Sequence, residues 1–398
     1  MNSSLGYSLP DLHADEALRR REFPVAAGRI FLAHAGVAPL CRAARDALVE
    51  AAVCAASEAQ ENEEVWRRIH DARREAAALL GADATEIALL GPTSLGLNLV
   101  ANGLPWSPGD EVVCYMDDYP ANVYPWLRLR GRGVVVRCLA PEAPGRITWD
   151  LVAAALTSRT RLVALASCHF LSGYRIDIDG IGRRLRERGV LFCLDAIQSL
   201  GAFPTRVTHV DFLSADAHKW LLGPNGAGIF FVARQHWDLL EPSLVGSWNI
   251  VSPHYVAQTE LVPVGGARRY EPGTLNTSGI LAMHASLQLL NRLGVEAIAE
   301  RLLSWRHEFL SRVRPLGFQV YGCDDAMDLP EDARSAIITI VHADATPSAL
   351  AKALHQEGID VSVRADRAGQ GVLRLSPHFY TTFEELERTV DVLAALTH

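Results

Sequence analysis

The chain of 398 residues contains two lysines, Lys219 and Lys352, among its 38 lysines and arginines. Lys219 stands between a histidine and a tryptophan in "SADAHKWLLGPNGAGIFFV" (214–232), directly after an apolar run. Arginine does not give up its proton inside a protein, whereas burial or a neighbouring cation can free a lysine amine to attack a carbonyl. Lys219 therefore reads as a Schiff-base nucleophile, the alternative being a surface lysine. Asp195 closes "VLFCLDA", a run too apolar to hold an unpaired carboxylate. Either it caps a helix or joins an ion pair, or it faces a buried cation. A protonated pyridine nitrogen would serve, because that contact keeps the ring an electron sink.

Other residues follow apolar runs in the same way. Thr93 and Ser94 come after "EIALLGP" and open an amphipathic stretch, so their hydroxyls and free N–H groups either cap a helix or receive a phosphate. Tyr119, in "MDDYPANVYPW", offers a flat ring for stacking. Arg374 lies in the apolar run "GVLRLSPHF", where it either faces water from an edge strand or clamps a carboxylate with two parallel hydrogen bonds. His169, in "ASCHFLSGYRIDI", could approach a ligand or be a hydrogen-bonded structural histidine. "GPNGAG" (223–228) precedes the strand-like "IFFV", whereas a dinucleotide fingerprint follows a strand and opens a helix.

The elements that must position these residues are short β-rich runs alternating with helical patterns between about residues 85 and 235. The runs are "EIALLG", "DEVVCYM", "VVVRCLA", "RLVALAS", "VLFCLDA", "HVDFLSADA" and "GAGIFFV". Such alternation predicts an α/β fold with a mostly parallel sheet covered on both faces, and ligands in the crevice beyond the carboxyl ends of its strands. That rule selects Thr93, Tyr119, Asp195 and Lys219. Beyond residue 284 the pattern changes to helices such as "VEAIAERLLSWRHEFLSRV" and strands such as "SAIITIVHA". Residues 29–284 are expected to form a large α/β domain, and 1–28 with 285–398 a smaller α+β domain.

A hydrophobic content of 49%, a charged content of 21% and a net charge of −8 are ordinary for a globular chain. They leave no electrostatic footprint for nucleic acid or anionic membrane. The first 23 residues lack the apolar core of a signal peptide, and no run is long enough to span a bilayer, so a cytoplasmic protein is expected. Of seven cysteines, Cys114, Cys138, Cys168 and Cys193 sit in strand-like runs and are expected to be buried small hydrophobes. No spacing suggests a metal site.

Taken in order, "DAIQSLGAFP", "SADAHKWLLGPNGAGIFFV" and "RYEPGTLNTSGI" resemble the class V aminotransferase and cysteine desulfurase superfamily of pyridoxal phosphate enzymes. The resemblance extends from "FLAHAGVAPL" to "RLSPHFYTTFEELERTV". It implies a fold type I architecture with a seven-stranded sheet, and a homodimer with shared active sites. By the same resemblance Lys219 would hold pyridoxal 5′-phosphate as an imine and move the α-proton. Asp195 would face the pyridine nitrogen, Gln198 the ring hydroxyl, and Tyr119 the ring face. Thr93, Ser94 and His218 would hold the phosphate, and Thr274 would reach the phosphate of the neighbouring subunit. Arg374 would bind the substrate carboxylate, with His34 and Ala35 lining the substrate side.

Two departures stand out. Asp216 occupies a place where desulfurases often carry a small hydroxyl residue, and an anion there would repel a phosphate. The stretch before the arginine strand, "VSVRADRAGQGVLRLSP", has no cysteine to form a persulfide, and Cys323 lies far upstream in another segment. The expected function is pyridoxal phosphate chemistry at the α-carbon of an amino acid, by transamination or by β-elimination including C–S cleavage. An epimerase of the same family and a non-catalytic regulatory protein on the same fold are the alternatives, and the misplaced glycines disfavour a nicotinamide oxidoreductase.

Overall fold

The computed structural model describes residues 6–322 and 329–397, so Cys323 lies outside the described residues. After a short β1 (Ile30–Phe31), the expected apolar runs form β2 (Ile87–Leu90), β3 (Glu111–Tyr115), β4 (Val135–Leu139), β5 (Thr160–Ala166), β6 (Leu191–Asp195), β7 (Phe212–Asp216) and β8 (Gly228–Val232). β2 to β8 make one seven-stranded sheet in the order β2-β8-β7-β6-β5-β3-β4. β4, β3, β5, β6 and β7 are parallel, and β8 runs antiparallel to both of its neighbours. Parallel neighbours need long crossovers. Helices Thr93–Gly103, Tyr124–Arg128, Trp149–Ala155 and Ile178–Arg186 link β2 to β3, β3 to β4, β4 to β5 and β5 to β6, while residues 196–211 carry the chain from β6 to β7 without a helix.

Burial explains the composition of the strands. β3, β7 and β8 are buried at every position, which requires continuous apolar runs rather than alternation. One face packs on helices Arg42–Ala55, Glu63–Leu80 and Thr277–Leu293, which also pack on one another. The other face packs on the helix Thr93–Gly103 and Trp126. β4 is the edge strand and largely exposed, so Cys138 is exposed, contrary to expectation, while Cys114, Cys168 and Cys193 are buried.

The C-terminal part holds β9 (Gln319–Val320), β10 (Ile338–Val341), β11 (Ile359–Asp360), β12 (Ser362–Ala365) and β13 (Gly371–Leu375). Four of these form an antiparallel sheet in the order β12-β13-β10-β9. Its core joins Ile338, Leu373 and Leu375 to Trp305, Phe309, Leu386 and Leu393 of the flanking helices. Ile30 and Leu32 belong to this same cluster, because β1 pairs parallel with β11. Residues 30–32 thus pack with the smaller sheet rather than with the larger unit expected from residue 29 onward. Near the N-terminus, Arg19 donates to Tyr380 O and pairs with Glu385, tying the first helices to the last. Among the described residues no helix is long and apolar enough to cross a membrane.

Candidate active site

The turn that carries Lys219 is fixed by its own backbone. β7 ends at Asp216, and the chain must reverse at once into the antiparallel β8. Gly223 N–H donates to Ala217 O (3.0 Å), Leu222 N–H to Lys219 O (3.1 Å) and Ala217 N–H to Ala227 O (2.9 Å). Leu222 takes φ +55°, a conformation sparsely populated by residues with a Cβ. Gly228 follows because a Cβ there would lie 2.8 Å from both Ala215 O and Gly91 O. Lys219 is thereby held over the carboxyl end of the sheet, 8% exposed, with its stem buried.

A cavity of about 390 Å³ opens at this point, between the large sheet and the β12–β13 hairpin. Lys219, Asp195, Thr93, Ser94, Tyr119, Gln198, His218, Arg374 and Ala35 all line it. Among the described residues Lys219 Nζ has no hydrogen-bond or carboxylate partner, and it sits 5.4 Å from the centroid of the Tyr119 ring. Burial pushes its ammonium down to about 8; the Asp195 carboxylate opposes that shift, and the Arg374 and Arg364 guanidinium groups add to it. Asp195, at the tip of β6, is pushed up to about 6 by burial, against the pull of the Ile197 N–H and of Lys219. The Ile197 N–H reaches Asp195 Oδ1 at 3.1 Å. A further cation facing this carboxylate would favour its ionised form.

At the other end, helix Thr93–Gly103 points its N-terminus at the cavity without a capping side chain, since its N-cap is Pro92. The helix lies so close to the sheet that a Cβ on Gly96 would be 2.4 Å from Ser214 Oγ and 2.9 Å from the Phe230 ring. Thr93 Oγ1 accepts the Asp216 N–H (2.9 Å), which orients the hydroxyl and leaves its own proton to donate. His218 Nδ1 is buried without a hydrogen-bond partner, although Asp216 Oδ2 lies 3.1 Å away. Asp216 Oδ1 accepts the Ala217 N–H at 2.7 Å. Its carboxylate is therefore engaged with its own turn and lies beside His218, and it does not line the cavity. Gln198 Oε1 accepts from Trp220 Nε1 (2.9 Å), and Nε2 donates to Ala35 O (3.1 Å), leaving one amide proton for a ligand.

Arg374 comes from β13 and is 1% exposed. Its Nη1 donates to Phe170 O at 2.7 Å, while Nε and Nη2 are buried without partners. Burial, then the Arg364 guanidinium, pushes its pKa down to about 9. A guanidinium edge with two free donors and no carboxylate is built to receive one from outside.

One expected residue, His34, is placed elsewhere. His34 does not line the cavity: both ring nitrogens are engaged, Nδ1 with Ser376 O (2.9 Å) and Nε2 with Tyr380 Oη (2.8 Å), and it is fully buried. Its neighbours Ala35, Gly36 and Val37 form the wall instead. Thr274 is exposed, on the segment before helix Thr277–Leu293, and is absent from its own chain's cavity. His169 binds Ser172 Oγ (2.9 Å) and Asp117 O (3.0 Å), and burial lowers its pKa to about 4. It lines the adjacent cleft, as a structural histidine does. Sequence reasoning missed Arg364 and Phe170, which also line the cavity. Only the pairing of β12 with β13 places Arg364 beside Arg374, and its own neighbours in sequence carry no signal of it.

Residues 30–389 match the family model for aminotransferase class V. The chain belongs to this family. Class V aminotransferases are pyridoxal phosphate-dependent enzymes, and the residues of this cavity fit that cofactor. An uncapped helix N-terminus and His218 suit a phosphate, Asp195 lacks a full set of partners, and Lys219 is short of a proton at mildly basic pH. The chain is similar to a probable cysteine desulfurase of Methanothermobacter thermautotrophicus, 28% identical over 341 residues, 81% of this chain and 82% of the relative. It is 29% identical over 347 residues to the isopenicillin N epimerase of Streptomyces clavuligerus, covering 84% of this chain and 86% of that one. The cysteine desulfurase structure from Thermococcus onnurineus shares the fold, with a TM-score of 0.86 at 22% identity over 95% of this chain and 97% of that one.

Proposed function

We propose that this class V enzyme acts at the α-carbon of an amino acid, transferring its amino group or eliminating a β-substituent, C–S cleavage included. The observation that carries this reading is the convergence of Lys219, Asp195 and the two free donors of Arg374 on one cavity. Pyridoxal phosphate would be held by Lys219, Asp195, Gln198 and Tyr119 around its ring and by Thr93, Ser94 and His218 at its phosphate; when bound it supplies an electron sink for a carbanion. Arg374 fixes the α-carboxylate through Nε and Nη2. Lys219, as a neutral amine, would take the α-proton and hand it on, to another carbon in amino transfer or to the departing β-substituent in elimination. Asp195 would keep a cationic ring nitrogen charged. The walls around Arg374 exclude water, which strengthens its hold on a carboxylate.

The turn between β12 and β13, "DRAGQ", contains no cysteine, and no cysteine among the described residues lines the cavity. Sulfur transfer through a persulfide on this chain is therefore left out of the reading. Epimerisation is the second reading, favoured by the likeness to isopenicillin N epimerase. The enzyme works as a cytoplasmic homodimer, in which Thr274 of each chain reaches the phosphate bound by the other.

Borohydride reduction of the protein loaded with pyridoxal phosphate tests the central claim. The cofactor mass should appear on the peptide containing Lys219 and vanish in Lys219→Ala, with turnover falling by at least about a hundredfold. A label on Lys352, or full activity in the variant, would overturn it. Products then separate the reactions: a keto acid with an aminated cofactor, a keto acid with free ammonia or sulfide, or an inverted amino acid with solvent deuterium at the α-carbon.

A further inference from the structure

We propose that Arg364 reads a second anionic group on the substrate, so that the site selects amino acids whose side chain carries a carboxylate or a comparable small anion. This rests on the reading that Arg374 binds the α-carboxylate. The two arginines come from neighbouring antiparallel strands, Arg364 opposite Val372 and Arg374 opposite Ser362. Their tips converge on one spot of the cavity wall: a Cβ on Gly36 would lie 3.7 Å from Arg364 Nη2 and 3.9 Å from Arg374 Nη2.

The free edge of Arg374 suffices for one carboxylate bound by two parallel hydrogen bonds. Arg364 is then left over. Among the described residues its one hydrogen bond runs from Nη1 to Val363 O on its own strand, and it has no carboxylate partner. Two other arginines of this region differ: the exposed Arg367, at the tip of the same hairpin, pairs with Asp117, and the half-buried Arg29 pairs with Asp360. Arg364 also repels the charges of Lys219 and Arg374, lowering the proton affinity of both. Water screens the exposed Arg364, but an anion entering the cavity meets its charge together with that of the buried Arg374. The phosphate of the cofactor would sit elsewhere in the cavity, held by Thr93 and Ser94 at the start of helix Thr93–Gly103 and by His218 on the turn after β7, none of them on this hairpin. A substrate with two anionic groups neutralises both arginines, its α-carboxylate at the buried one and its side chain at the exposed one.

Absorbance titration of the loaded enzyme with L-aspartate and L-glutamate, against L-asparagine and L-glutamine, provides the test, since each acid differs from its amide chiefly in charge. At least one acid should bind about tenfold more tightly than its amide, and Arg364→Gln should reduce that ratio to about two or less. Arg374→Gln should instead weaken all four. Equal affinities for acids and amides, a ratio that survives in Arg364→Gln, or no spectral response to any of the four would overturn the proposal. Borohydride labelling of Lys219, carried out on the same preparations, reports separately on the cofactor assignment. A labelled enzyme without acid preference therefore discards the role of Arg364 alone.

Discussion

At Lys219 the decisive property is a proton affinity set by burial and by nearby guanidinium groups. Its folded value of about 8 lies below the 10.5 of a free lysine, so the neutral amine becomes abundant near pH 8. Capture of pyridoxal phosphate by the protein stripped of cofactor should accelerate between pH 7 and 9, with a midpoint of about 8. Stopped-flow absorbance reads this directly, and a midpoint near that of a free lysine would show that the surroundings do not act on it. The linked effect on stability has a definite sign. Between pH 8 and 10.5 the unfolded chain binds more protons than the folded one, so the contribution of Lys219 to stability rises with pH across that window. Below pH 8 both states hold the proton, and the full cost of burying the ammonium remains.

Between elements, one buried ion pair joins three segments around the site. Arg73, on the helix Glu63–Leu80, donates from Nη2 to both carboxylate oxygens of Glu271 at 2.8 and 2.7 Å. Glu271 Oε1 also accepts the Leu89 N–H of β2 at 2.7 Å, and Glu271 opens the "EPGTLN" segment that holds Thr274. Both side chains are almost fully buried, so removing the cation leaves an uncompensated carboxylate in the core. Arg73→Met should cost about 3–5 kcal/mol, seen as a lower midpoint in urea denaturation. A loss below about 1 kcal/mol would mean that water reaches Glu271 once the arginine is gone.

On the scale of the whole molecule, the cavity belongs to neither sheet alone. Asp195 ends a strand of the large sheet and Lys219 lies on the turn after β7, while Arg374 and Arg364 come from the small sheet, so a substrate held as proposed would bridge the two. A second feature lies outside the core: Leu244, Val245, Val251, Tyr255, Val256, Leu261 and Val262 are all exposed along one stretch. Apolar groups concentrated in this way mark an interaction surface. The proposed homodimer would bury them and bring Thr274 to the neighbouring site. Sedimentation should give twice the mass of one chain, and Val256→Glu with Leu261→Glu should give single chains that retain pyridoxal phosphate poorly. Single chains of the unaltered protein that hold the cofactor normally would contradict this.

The sequence alone determined the strands of the large sheet, because all but the edge strand β4 are largely buried on both faces and must be continuous apolar runs, and it determined which polar residues end them. Lys219, Asp195, Thr93 and Tyr119 were legible for that reason, and Arg374 for its place in an apolar run. Local pattern did not reveal that Ile30 packs with the smaller core, since its parallel pairing with Ile359 spans nearly the whole chain. It misplaced His34, whose ring nitrogens are taken up by Ser376 and Tyr380, residues distant in sequence. It passed over Arg364, which looks like any exposed arginine until the hairpin sets it beside Arg374 and Gly36. Strand identity follows from the burial of each segment's own side chains, whereas the partners of a charged group are decided by segments that meet only when the chain folds.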